Sequence, residues 1–333
     1  MSKSLRSRAV VLGAAALLAL AGCSAETDPA GTEAPGAEAA ESQGAWPRTV
    51  EVGESEVTLD AEPQHIVALS TEVGDLGLEL VGPDRFAAVS EGSVLEGTGN
   101  QIELAEQVET VLTVHASPEP EQILALEPDL VLLNAHREDQ SSTADALTEA
   151  GIPVATFGPS DFANPDAVAQ SIETLGELLG AEEAAAEAAT GLQEDVAEVT
   201  ALTEGVTERP SVAVLFARGG SLMLQGVHSA TSELVVLGGG DLVAEEQGWQ
   251  QAVPADPETI LAADPDVILV QNHRGAGLEP FADILENPAL AEATAIAGDE
   301  VHLVEAATTS GTSGTSLGTG LREIAELLHP ELF

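Results

Sequence analysis

Short apolar runs alternate along the chain with segments whose apolar residues recur every three or four positions. The runs predict buried parallel strands, and the intervening segments predict helices, an order typical of repeated strand–helix–strand units. The predicted strands are 65–69, 86–89, 130–133, 153–157, 212–216 and 267–270. The predicted helices are 72–80, 120–126, 141–150, 232–237 and 321–328. The fold class that follows from this order is α/β.

The alternation stops once, in an alanine-, glutamate- and leucine-rich segment with helical spacing over residues 164–204. It resumes after Pro210. We therefore predict two Rossmann-like lobes with mostly parallel sheets, 46–180 and 208–333, joined by one long helix within 181–207. Because a long helix resists bending, we expect the lobes to move little relative to each other.

An internal repeat supports two related lobes. Residues 120–137 align without a gap on residues 257–274, and ten of the eighteen positions are identical. Each copy reads as a short helix, a Pro-Asp turn, a buried strand and a polar loop that contains His-Arg. Ligands of open α/β sheets bind beyond the carboxyl ends of the strands, so both His-Arg pairs are candidates for a binding site.

The first residues predict export and lipidation. A basic start precedes the apolar run 9–21, which is too short to span a bilayer and has the length of a signal-peptide core. The run ends in Leu-Ala-Gly-Cys at 20–23, which resembles the lipobox of bacterial lipoproteins. The resemblance implies cleavage after a signal peptide of residues 1–22 and lipid on Cys23. Residues 23–45, with almost no large apolar side chain, then predict the lipidated cysteine and a disordered tether on the outer face of the cell membrane.

Charge excludes several classes of function. Ten basic residues against 57 acidic ones give a net charge of −47, which repels polyphosphate and argues against nucleic-acid binding. The carboxylates are spread along the whole chain, as on a strongly solvated surface suited to high salt. The single cysteine excludes internal disulfides and thiolate metal sites.

The sequence does not indicate an enzyme. It has no P-loop, nucleophile elbow, His-Glu-x-x-His zinc motif or dinucleotide-binding glycine fingerprint. The seven histidines are scattered, which disfavours uptake of bare zinc or manganese, since that needs three or four converging donors. The Ser/Thr/Gly-rich run 308–320 fits either a loop facing the cleft or the cap of the last helix.

The repeated helix–Pro-Asp–strand unit resembles the ABC-importer binding proteins whose two lobes are joined by one rigid helix. That class captures iron-siderophores, haem or cobalamin. The segments 222–226, 232–240 and 245–249, with the Pro-Glu helix that follows them, look most like the haemin-binding lipoproteins of actinobacterial haem importers. The resemblance implies capture of haem, as transported ligand and not as catalytic cofactor, for delivery of iron to a permease. The alternative is a ferric siderophore or cobalamin.

Haem requires one or two axial donors to its iron. His136 follows a predicted buried strand and falls where the haemin-binding family carries a histidine. That family's second ligand is a tyrosine at or beside Met223, but this chain has no tyrosine. Met223 itself, His273 as the repeat mate of His136, and His228 all stay open as the second donor.

Arginines that follow strands are candidates for the propionates of haem, or for carboxylate or catecholate oxygens of a siderophore. They are Arg137, Arg274 and Arg218. Each could equally be a surface counter-charge on an acidic protein. Trp249 is a candidate to line the haem slot, with a core anchor as its other interpretation.

The resemblance also implies the partners. Proteins of this class dock on their permease, which works with an ATPase, through one acidic residue near the first helix of each lobe. The matching positions are Glu72 and Glu233. Either carboxylate could instead simply stabilise the first turn of its helix. We expect a monomer that binds a small-molecule iron chelate and is attached to the membrane by lipid.

Overall fold

The computed structural model describes residues 46–53, 55–113, 119–136 and 138–333, without the side chains of 138 and 139. The predicted signal peptide, Cys23 and the predicted tether lie outside the described residues. The described chain confirms the predicted fold class: mixed α/β, with mostly parallel sheets and a long helix between them. No helix in these ranges is both long and apolar enough to cross a bilayer.

The N-terminal lobe contains a five-stranded parallel sheet. Its strand order is β5-β4-β3-β6-β7, and a separate antiparallel hairpin of β1 and β2 precedes it. The strands are β1 (Arg48–Val52), β2 (Ser55–Leu59), β3 (Ile66–Ala68), β4 (Phe86–Ser90), β5 (Thr110–Leu112), β6 (Leu130–Asn134) and β7 (Val154–Phe157). The helices are α1 (Thr71–Val81), α2 (Ile102–Ala105), α3 (Pro120–Leu124), α4 (Glu138–Glu149), α5 (Pro165–Leu179) and α6 (Glu182–Thr203).

The C-terminal lobe repeats this plan with one difference. Its sheet runs in the order β11-β9-β8-β12-β13, and β10 also pairs with β8. The strands are β8 (Ser211–Arg218), β9 (Ser221–Leu224), β10 (Asp241–Leu242), β11 (Val253–Pro254), β12 (Val267–Asn272) and β13 (Val301–Glu305). The helices are α7 (Ala230–Leu237), α8 (Val243–Glu246), α9 (Pro257–Ala263), α10 (Ala282–Leu285), α11 (Thr294–Ala297), α12 (Ala306–Thr309) and α13 (Leu317–Leu328). Where the N-terminal sheet has parallel β4 beside β3, this sheet has β9, which folds back antiparallel on β8.

Both sheets bury both faces. In β6, Leu130 and Leu132 belong to one core cluster, whereas Val131 and Leu133 belong to another on the opposite face. This explains why the strands read as continuous apolar runs rather than as alternating patterns. The first cluster continues through α5, α6 and α13 into the C-terminal sheet, so one apolar core is shared by the two lobes.

The Pro-Asp turn of the repeat has the same structural role in each lobe. Asp129 accepts hydrogen bonds from the backbone N–H groups of Gln64 and His65 at 2.7 and 2.9 Å. Asp266 accepts from the backbone N–H and the hydroxyl of Ser211, both at 2.8 Å. Each aspartate therefore fixes the start of the neighbouring strand, which aligns the strand's carboxyl end with the loop that carries the histidine.

The Ser/Thr/Gly-rich run is the C-terminal lobe's contact with α1 and its neighbours. The Asn100 side chain donates to the Thr312 carbonyl at 2.8 Å, and the Thr315 hydroxyl donates to the Glu79 carboxylate at 3.0 Å. The helix α13 begins at Leu317, four residues before the predicted start. The run therefore contains the last two residues of α12, a loop between the lobes and the first turn of α13.

Candidate functional site

A cleft of about 440 Å³ lies between the lobes, at the carboxyl ends of the central strands. This volume is within the range of small-molecule sites. Three residues of the N-terminal lobe line it, Glu72, Thr98 and His136, and the other wall comes from the C-terminal lobe. The strand-end loops of both repeat copies thus meet at one cavity, which brings His136 and His273 to the same site.

His136 faces a carboxylate. Its Nε2 atom lies 3.3 Å from Oε1 of Glu72, and its backbone N–H donates to the Gln140 side chain at 2.8 Å. The Glu72 side chain is only 12% exposed, whereas that of His136 is 42% exposed. His136 is therefore held on one side by Glu72 and remains accessible from the cleft.

His273 and His228 line the opposite wall. Burial, followed by the positive charge of Arg274, lowers the pKa of His273 from its ordinary value. The ring is therefore neutral at physiological pH, the form in which imidazole binds metals. Among the residues that the structure describes, no three His, Cys, Asp or Glu side chains converge as a metal site.

Two arginines beside the cleft differ from the other described arginines. Four of the six described arginines form ion pairs: Arg48, Arg85, Arg209 and Arg322. Arg218, which lines the cleft, and Arg274, beside His273, form no ion pair with another described residue. In a chain with 57 acidic residues, exposed cations without a carboxylate partner are available to an anionic ligand.

Uncharged polar groups form much of the remaining lining. Four glutamines of the C-terminal lobe line the cleft: Gln225, Gln250, Gln251 and Gln271. Phe216 is the one aromatic residue among the described lining residues. The sequence did not predict these glutamines as site residues, because glutamine is common in polar loops and only Gln271 lies within a strand.

Two predicted ligand residues lie elsewhere. Met223 is half-buried on β9 opposite Phe216 and is not among the described residues that line the cleft. Trp249 packs against the C-terminal core with Val243 and Leu224, and its backbone pairs with Ala244 and Val227. The structure therefore places Trp249 as a core anchor rather than in the slot.

A model of one protein family matches most of the described chain. The family model described as "Periplasmic binding protein" matches residues 66–307. The chain belongs to this family. The match spans β3 of the N-terminal lobe to α12 of the C-terminal lobe, and so includes both repeat copies and the cleft.

Two curated relatives of this periplasmic binding protein are named after transport or binding. An uncharacterized ABC transporter substrate-binding lipoprotein, YvrC of Bacillus subtilis, is 26% identical over 295 residues, which cover 86% of this chain and 87% of that protein. A cobalamin-binding protein of Halobacterium salinarum is 27% identical over 220 residues. That match covers 64% of this chain and only 55% of the relative.

Solved structures show the same fold. The periplasmic heme-binding protein RhuT from Roseiflexus sp. RS-1 superposes with a TM-score of 0.68 at 22% identity, over 81% of this chain and 99% of that chain. A protein described as an ABC-type Fe³⁺-hydroxamate transport system, from Saccharomonospora viridis, gives 0.66 at 21% identity, over 85% and 99%. Proteins named for different ligands therefore share this two-lobed frame.

The remaining predicted site residues stand as follows. Arg137 and Cys23 lie outside the described residues. Glu233 is half-buried in the first turn of α7, whose N-cap is Ser229. Glu72 lies in the first turn of α1, but its carboxylate is turned to His136. Docking through Glu72 and Glu233 stays a prediction.

Proposed function

We propose that this periplasmic binding protein is the extracytoplasmic substrate-binding lipoprotein of an ABC importer, and that it captures haem between its lobes. The observation that carries the proposal is the meeting of His136, His273 and Arg218, which has no ion-pair partner among the described residues, at one interlobe cleft. The histidines supply axial donors to iron, and the arginine supplies a cation for a propionate. Arg137 and Arg274 are further candidates for propionate binding.

The names of the relatives support the transport role. One relative is named as an ABC transporter substrate-binding lipoprotein, and a structural neighbour as a heme-binding protein. In this proposal, lipid on Cys23 anchors the protein outside the cell membrane. Glu233 then presents an anionic side chain to the permease, which passes the haem inward with its ATPase. Glu72 is the matching docking position in the N-terminal lobe, but its side chain is only 12% exposed and its carboxylate is turned to His136.

The direct test is a haemin titration of the purified protein, monitored by absorption spectroscopy. We expect a saturable one-to-one shift of the Soret band, lost or altered in His136→Ala. His65→Ala is the matched control, because His65 is exposed and is not among the described residues of the cleft. The same titration on His273→Ala, His228→Ala and Met223→Ala identifies the second axial ligand. Absence of a saturable shift would refute haem as the ligand.

The arginines are tested with the same assay. We expect Arg218→Gln to weaken haemin binding by about tenfold through loss of one charge-assisted hydrogen bond. The variant should bind haemin dimethyl ester, which has no carboxylate, as well as the parent protein does. Arg209→Gln is the control, because Arg209 is already paired with Asp241 at 2.6 Å. Equal losses for haemin and its ester would contradict a role in binding propionates.

A second candidate ligand is a corrinoid or a ferric siderophore. The observation that favours it is the polar lining, with four glutamines and a single aromatic residue among the described residues of the cleft. A relative named as cobalamin-binding is similar over 220 residues. Titration with cyanocobalamin and with ferric hydroxamate, beside haemin, decides between them.

A further inference from the structure

A chain of hydrogen bonds runs from the protein interior to the cleft. The Thr231 hydroxyl donates to the Thr309 carbonyl at 2.7 Å. The Gln271 side-chain N–H donates to the Thr231 hydroxyl at 2.5 Å, and the Gln225 side-chain N–H donates to the Gln271 oxygen at 3.3 Å. Thr231, Thr309 and Gln271 are buried, with exposed fractions of 1%, 0% and 2%. Gln225 and Gln271 both line the cleft.

The direction of this chain is set by chemistry. A carbonyl oxygen can only accept a hydrogen bond, so the Thr231 hydroxyl must donate its single proton to the Thr309 carbonyl. The Thr231 oxygen is then an acceptor, and the Gln271 side chain must turn its NH₂ group toward it. The Gln271 side-chain oxygen therefore faces Gln225, and the Gln225 side-chain NH₂ group must donate to it. The Gln225 side-chain oxygen takes part in none of these three hydrogen bonds and is therefore available to the ligand. Reversing either amide would bring like groups together at a buried site, which costs free energy.

We propose that Gln225 is a specificity-determining residue whose fixed carboxamide recognises an N–H or O–H donor on the ligand, such as a carboxamide or hydroxyl group. A carboxylate offers no donor and meets an oxygen at this point, whereas the arginines serve the anionic groups of the ligand. The inference rests on the proposed function, because the ligand is taken to be a metal chelate held in this cleft.

The test compares two probes that differ only at their periphery: haemin, and haemin bis-amide, in which both propionates are primary carboxamides. Each is titrated into the parent protein and into Thr231→Ser and Thr231→Val. The serine variant keeps the hydroxyl, whereas the valine variant has nearly the same shape without it. We expect the ratio of the two dissociation constants to be unchanged in Thr231→Ser and to shift about tenfold toward haemin in Thr231→Val.

Two further measurements keep the inference testable. Gln225→Met, at a half-buried position, removes the oxygen together with the N–H group that donates to Gln271, and it leaves the bond between Gln271 and Thr231 in place. It should shift the ratio as Thr231→Val does. Exchange of the Gln271 side-chain protons, followed by NMR in the free protein, should be slow in the parent and Thr231→Ser but fast in Thr231→Val.

The outcomes are distinct. A probe ratio that is the same in all four proteins overturns the inference. If neither probe binds any of the four proteins, the proposal that haem is the ligand fails. The exchange rate of the Gln271 side-chain protons then tests whether the orientation of the amides is fixed. Slow exchange that depends on the Thr231 hydroxyl supports it, and equal exchange in all variants refutes it.

Discussion

Glu72 and His136 form a carboxylate–imidazole pair at the cleft, with Glu72 Oε1 3.3 Å from His136 Nε2. The two residues come from different elements: Glu72 from the first turn of α1 and His136 from the loop after β6. When the Glu72 carboxylate accepts a hydrogen bond from Nε2–H, the Nδ1 atom of the same ring keeps its free electron pair for a metal. Such a carboxylate–imidazole arrangement orients metal-binding histidines in many proteins.

Glu72 should therefore act through His136. We expect Glu72→Gln to weaken haemin binding by about tenfold, the lower end of the effect of losing a partner that orients a metal-binding histidine. In a His136→Ala background, the same substitution should have little further effect, because its partner is gone. Haemin titrations of the two single variants and the double variant complete this cycle. Additive losses would show that Glu72 does not act through His136.

Gly97 sets how closely the lobes approach beside His273. Its φ is +72°, and a Cβ atom at this position would lie 2.7 Å from the backbone nitrogen of Arg274. We expect Gly97→Ala to lower the free energy of unfolding by about 1–3 kcal/mol more than Gly248→Ala does, because backbone atoms must move apart.

Gly248 is a matched control because its φ is also +72° and no atom would lie within 4 Å of an added Cβ. Both substitutions place a side chain at the same positive φ, and only one adds a clash between lobes. Urea unfolding of the two variants measures the difference. Equal losses of stability would contradict a tight contact at Gly97.

Asp75 should make stability depend on pH. Burial raises the pKa of this carboxyl group from 3.8 to about 6. Because the folded-state pKa is the higher one, the folded protein binds the proton more tightly than the unfolded chain does. The cost of burying the charged form is thus fully present above pH 6 and disappears as the pH falls from about 6 to about 4. Its size is about 3 kcal/mol.

Asp75→Asn removes this cost while keeping an oxygen to accept the Asn100 backbone N–H, which now donates to Asp75 at 2.7 Å. We expect the variant to be more stable than the parent at pH 7.5 and to lose most of that advantage at pH 4.5. Urea unfolding at both pH values measures the difference, in which the other titrating groups cancel. A constant difference would contradict the raised pKa.

Salt should stabilise the protein. With a net charge of −47, repulsion between carboxylates opposes the compact state, and salt screens that repulsion. We expect the urea midpoint to rise when KCl increases from 0.1 to 2 M. NaCl should have the same effect if screening is the cause. A midpoint that does not change with salt would contradict this interpretation.

Much of the architecture could be read from local pattern. The buried strands of the repeat, β6 and β12, were predicted because strands covered on both faces are continuously apolar. The long helix α6 was predicted because no proline interrupts its helical spacing. The sequence did not indicate the β1–β2 hairpin or the antiparallel turn of β9, since both depend on pairing between strands that are short and only partly apolar.

What the sequence determined by itself is therefore the α/β class, the two related lobes and the loops that carry His136 and His273, because each is set by local periodicity and by the repeat. Only the tertiary structure decided which side chains meet. It paired Glu72 with His136 across 64 residues, kept Met223 out of the cleft lining, moved Trp249 to the core, and linked Gln225 through Gln271 to Thr231. These outcomes depend on how the lobes and strands pack in three dimensions, and neither periodicity nor spacing encodes that packing.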